Sequence, residues 1–144
     1  MKKFNFKDVP QGYQLCFNEQ CPKHADCIRF FAGQHLPTTE MSGPAVYPNA
    51  LTNGICPYFK QIRVIHGAWG FRNLYKGVEP KDLQVLRPKV INYLGGPVAN
   101  YAYMHGDKLL TPEQQDAIRG FFQELGYSKE LVFEGYTLIY DFSK

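Results

Sequence analysis

The sequence predicts an α+β fold, mainly α, in one domain. A loop-rich portion carrying four cysteines (residues 1–57) is expected to pack on a C-terminal helical bundle (58–144) that closes with a strand-like segment. Three observations carry this expectation. Pro10, Pro22, Pro37, Pro44, Pro48 and Pro57, with Gly12, Gly33, Gly43 and Gly54, interrupt the first portion, so its regular elements must be short. From Pro80 to Tyr127, apolar residues recur at helical spacing between explicit start and stop residues. Near the end, Leu138, Tyr140 and Phe142 fall at every second position, as in a strand.

Element by element, Cys27-Ile28-Arg29-Phe30-Phe31-Ala32 reads as one or two helical turns before Gly33. Phe59, Ile62, Ile65 and Trp69 have helical spacing, although Gly67 and Gly70 each cost a helix about 1 kcal/mol relative to Ala. A helix is expected over this stretch. Pro80 opens the next helix, because a first-turn proline forfeits no hydrogen bond. Leu83, Leu86, Val90, Ile91 and Leu94 form its stripe, and Gly95-Gly96 ends it. A short helix follows from Pro97 to His105, stopped by Gly106. Thr111, Pro112 and Gln114 then spell an N-cap, a first-turn proline and a capping box. Ile118, Phe121, Phe122 and Leu125 are its buried face, and Gly126-Tyr127 its C-terminal signal.

Composition narrows the class. With 144 residues, 44% of them apolar, the chain can bury roughly two-thirds of its unfolded surface. Its 11 Phe, 10 Tyr and single Trp promise an aromatic-rich core. No apolar run approaches the roughly 20 residues of a membrane span. Lys2-Lys3 is not followed by the apolar stretch of a signal peptide. A cytoplasmic protein is expected, and no membrane partner. Disulfides are rare in that compartment, which shifts attention to metal or redox roles for the thiols.

All four cysteines, Cys16, Cys21, Cys27 and Cys56, lie in the first 56 residues. Four thiolates from two separated segments suit a tetrahedral metal site. Zinc is the expected metal, with an iron–sulfur cluster as the alternative and uncoordinated core thiols as the third reading. The gaps of four and five residues are wide for zinc, which prefers two to four between ligands. His24 lies inside the cluster and could replace one thiol.

The net charge of +3 is uneven: residues 58–110 carry +5, and residues 111–144 carry −3. A basic middle segment can attract phosphate backbones. The helix Pro97–His105, lying between two others, occupies the place of a recognition helix. Asn100 and His105 would meet base edges, Tyr101 and Tyr103 phosphates or bases, and Arg87, Lys89 and Lys108 the backbone. Against this, the helix itself holds no Arg or Lys.

On these capping signals, Leu86 to Tyr127 resembles small bacterial repressor-like helix-turn-helix domains. Over nearly its whole length the chain also resembles a family of uncharacterised small Bacteroidales proteins bearing a domain of unknown function. That likeness rests on Val9-Pro10-Gln11-Gly12-Tyr13, Asn18-Glu19-Gln20-Cys21-Pro22, Cys27-Ile28-Arg29-Phe30, Cys56-Pro57-Tyr58-Phe59 and Leu110-Thr111-Pro112-Glu113-Gln114-Gln115. It implies a bacterial cytoplasmic setting and supplies no mechanism.

His24, His35, His66 and His105 are scattered. No His-Glu-x-x-His pair, nucleophile elbow, phosphate loop or paired-carboxylate signature occurs, so neither an enzyme nor a small-molecule substrate is favoured. The function expected is that of a non-enzymatic, metal-stabilised binding protein, specifically a DNA-binding regulator of helix-turn-helix type on double-stranded DNA. The alternatives are an iron–sulfur redox or sensor protein, and a module that binds another protein through exposed tyrosines and Trp69.

Overall fold

The computed structural model describes residues 3–143, so Lys2 lies outside it. The fold is α+β and mainly helical. Four α-helices are present, α1 (Ile28–Gln34), α2 (Pro80–Tyr93), α3 (Pro97–His105) and α4 (Pro112–Glu124). The strands are β1 (Leu15–Cys16), β2 (Ala45–Val46), β3 (Val64–Trp69) and β4 (Gly135–Tyr140). No helix among the described residues is long and apolar enough to cross a membrane.

The chain packs as two compact units. The larger spans residues 65–139, and the smaller residues 3–64 with residues 140–143. Strands β3 and β4 pair with each other and carry the chain from the smaller unit to the larger and back.

In the larger unit, local chemistry sets the helices. Pro80, Pro97 and Pro112 each take a first-turn position. Thr111 and Gln114 close a reciprocal capping box at the start of α4. The end of α4 turns through Gly126, whose φ of +89° only glycine adopts without strain. There the Gly126 N–H donates to Gln123 and the Tyr127 N–H to Phe122, so two orphan carbonyls are satisfied. The Tyr127 hydroxyl donates to Asp82 at 2.6 Å and accepts from the Glu79 N–H, which fixes the start of α2. That bond to Asp82 holds the phenol above its ordinary pKa.

Leu86, Val90 and Leu94 of α2, and Ile118 and Phe122 of α4, meet Ala68, Phe71, Leu74, Val78, Leu110, Leu131 and Phe133 in one core. Leu83, Phe121 and Leu125, expected inside, are only partly buried at its edge.

The helix expected over Phe59, Ile62, Ile65 and Trp69 does not form; β3 takes its place. Pairing with β4, and the Ala68–Leu110 bridge, outweigh a helical spacing of apolar residues that two glycines already weakened. Gly67 fits because a Cβ there would stand 2.9 Å from Leu109 and 3.0 Å from Ile139. The aromatic ring of Trp69 lies against Gly106 and Gly135, where a Cβ on Gly135 would approach its Nε1 to 2.4 Å.

The smaller unit has little core. Its buried apolar residues among those described are Leu15, Cys27, Ile28, Phe30, Ala32 and Val46. An aromatic group, Phe4, Phe31, His35 and Tyr140, adds edge-on contacts at 4.8–5.7 Å and a tilted one at 4.7 Å. The parallel pair β1–β2 aligns Leu15 with Ala45 and Cys16 with Val46. A core this small contributes only marginal stability.

Candidate metal centre

The four cysteines of the smaller unit are all free thiols, and each is presented by a separate local device. Cys16 ends β1. Cys21 sits in the turn begun by Asn18, whose side chain accepts from the Gln20 N–H at 3.0 Å and whose carbonyl accepts from the Cys21 N–H. Cys27 is the N-cap of α1, buried, and bridged antiparallel to Gln61. Bonds from Ile28 to Lys60 and from Ile62 to Asp26, both 2.8 Å, brace it on either side. Cys56 follows a tight turn in which Asn53 and Gly54 have φ of +53° and +77°. Thr52 and Ile55 exchange two backbone bonds across that turn. Asn-Gly is the pair that accepts two successive left-handed positions.

These devices bring all four thiols to one cavity of about 30 Å³. His24 and Arg29 line it too, and Phe30, Val46, Tyr58 and Phe59 complete the wall. The space is of the size of one or two waters or one ion. The side chains line it without closing on a common point: no three His, Cys, Asp or Glu among the described residues already stand close enough to hold a metal. A cavity wall and a finished coordination sphere are different things.

Arg29 is fixed in the wall. Its Nε donates to the Tyr58 carbonyl at 2.9 Å and its Nη1 to Gln14 at 3.0 Å, while its guanidinium covers the Tyr13 ring at 4.7 Å. Burial pushes the Tyr13 phenol up; Arg29 opposes this, and the Asp141 carboxylate adds to the rise. The Tyr13 hydroxyl is buried and has no hydrogen-bond partner among the described residues.

A family model described as a family of unknown function (DUF6078) matches residues 1–142. The chain belongs to that family. No curated protein and no solved structure matches it.

In this member of the family the residues expected to meet nucleic acid are not gathered on one open face. Asn100 is buried, its Nδ2 donates to Met104 Sδ at 3.3 Å, and its Oδ1 has no partner among the described residues. Lys89 pairs with Glu124 and covers the Phe121 ring, and Arg87 lies over Tyr75. Tyr103 is half-buried, with its hydroxyl 3.4 Å from Gln114 Nε2. Tyr101 and His105 are exposed, their rings in a tilted contact at 4.0 Å, and Lys108 is exposed. The exposed apolar side chains of α3 are instead Val98, Tyr101 and Met104.

His24, which the sequence offers as a substitute for one thiol, lines the same cavity. The signal was present in the sequence: Cys21, His24 and Cys27 stand three apart, with two residues between neighbours.

Proposed function

We propose that this protein is a non-enzymatic binding protein whose smaller unit is held together by a thiolate-bound metal, zinc before an iron–sulfur cluster. One observation carries the reading: Cys16, Cys21, Cys27 and Cys56, from separate turns, strands and caps, line one cavity of ion size. A second fact gives it a physical purpose. The unit that contains them buries few apolar side chains of its own, and structural metals supply folding free energy where a core does not. A metal saturated by four protein donors has no open position for substrate, so its role is structural.

The test is removal of the metal. A strong zinc chelator added to protein purified without added metal should abolish amide-exchange protection over 3–64, while α2, α4 and the core around Phe122 keep theirs. Unchanged protection over 3–64 would refute the reading.

The second reading concerns the partner. The exposed face of α3 is apolar at Val98 (87% exposed) and Tyr101 (61%), and favours a protein partner over DNA, whose binding surfaces are basic. Titration against random duplex DNA separates the two. Salt-dependent binding at micromolar protein would restore the DNA reading, and its absence supports the protein one.

A further inference from the structure

We propose that His24 is a donor to this centre through Nε2, so that the metal is held by one imidazole and three thiolates, and one of the four thiols stays uncoordinated. The inference rests on the metal-centre reading above and goes beyond it by naming the donor set.

Four facts lead there. First, His24 lines the same cavity as the thiols. Second, its Nδ1 lies 2.8 Å from the Cys21 carbonyl oxygen. A carbonyl only accepts, so Nδ1 carries the proton and the neutral ring has its lone pair on Nε2. A second-shell carbonyl on one ring nitrogen is the usual device that orients a ligating histidine for the other. Third, the ring is held from the side by an edge contact with Phe30, 4.8 Å between centroids, and Phe30 is itself part of the cavity wall. Fourth, counting His24 repairs the spacing: two residues separate Cys21 from His24, and two separate His24 from Cys27, within the range zinc prefers.

Charge points the same way. Three thiolates and a neutral imidazole around a divalent ion leave a net charge of −1, whereas four thiolates leave −2. Arg29 supplies the single cationic side chain of the cavity wall, which matches the smaller charge. Binding releases the protons of three thiols to solvent and none from His24, whose Nδ1 keeps its proton and donates it in the hydrogen bond to the Cys21 carbonyl.

The experiment uses the full chain loaded with zinc or, for absorption, with cobalt(II). Histidine labelled with nitrogen-15 reports on the wild-type protein: zinc should move the Nε2 resonance of His24 to a metal-bound position while Nδ1 stays protonated. One thiol per chain should still react with a thiol reagent. In His24→Ala the spare thiol should take the empty position. The reactive thiol then disappears, and the sulfur-to-cobalt charge-transfer band grows by about one third, as three thiolates become four. An unmoved Nε2 resonance with no reactive thiol in loaded wild type would overturn the inference and leave a four-thiolate centre standing. Absence of any cobalt charge-transfer band in wild type would overturn the metal-centre reading itself.

Discussion

Substituting Gly33 by Ala tests how the smaller unit positions Cys16. Gly33 lies near the end of α1 and is buried. A Cβ there would stand 2.3 Å from the Cys16 carbonyl oxygen and 3.3 Å from its carbon. The obstacle is backbone, so α1 and β1 must separate by about 1 Å to restore ordinary contact. Such overpacking costs about 1–3 kcal/mol, while Ala in place of Gly in a helix returns at most about 1 kcal/mol. The net expectation is a loss of about 1–2 kcal/mol in the smaller unit, with a matching displacement of Cys16 that weakens cobalt binding. Gly120 in α4 is the control, because nothing lies within 4 Å of a Cβ there. Gly120→Ala should therefore show the helix gain alone, stabilising by about 0.5–1 kcal/mol. Urea titration read by amide exchange resolves the two units. Stabilisation by Gly33→Ala equal to that by Gly120→Ala would refute the close contact between α1 and β1.

Three further substitutions probe the larger unit. Burial pushes the Tyr75 phenol up to about 12, against the opposing Arg87 guanidinium. An unfolded chain ionises it near 10, so the neutral phenol favours the fold below about pH 10, and that contribution is lost as pH rises toward 12. Between pH 8 and 11.5 the wild type should lose about 2 kcal/mol more unfolding free energy than Tyr75→Phe; equal losses would contradict the burial argument. Asn100→Ala removes a buried oxygen that has no partner among the described residues, and it improves helix propensity. Its stability by thermal or urea unfolding should be unchanged or higher by about 1 kcal/mol, and a loss above about 2 kcal/mol would show that the amide satisfies a group of consequence. Pro88 lies inside α2 and is exposed. Pro88→Ala restores an N–H to the helix ladder and should stabilise by about 1–3 kcal/mol; a destabilised variant would mean that the proline fits its site without strain.

What the sequence disclosed follows the range of the forces involved. Caps act within one turn, so α3 and α4 and the glycine-bearing end of α2 were readable from Pro97, Thr111-Pro112-Gln114, Gly95 and Gly126. β3 was not, because its strand state comes from β4 and Leu110, partners distant in the chain that overrule the spacing of Phe59, Ile62, Ile65 and Trp69. Within α3 the pattern misled in a second way. Asn100 reads as an exposed residue that meets base edges, yet the helix is turned so that Asn100 faces inward and Val98 outward. A nine-residue helix is too short for periodicity to fix its rotation. At the candidate site the four cysteines were legible as a group, since all of them fall in the first 56 residues. Their convergence on a single cavity depends on β1–β2 pairing, on the Asn53-Gly54 turn and on the Cys27–Gln61 bridge. His24 stood in plain view, but its tautomer is set by a carbonyl three residues back that only the fold brings into range.

The most direct test of the metal-stabilised unit is elemental analysis of protein purified anaerobically without added metal, with an absorption spectrum of the same sample. One zinc per chain in a colourless preparation is the result expected. Iron with acid-labile sulfide would replace zinc by a cluster. A folded protein without metal, in which all four thiols titrate freely, would contradict the account.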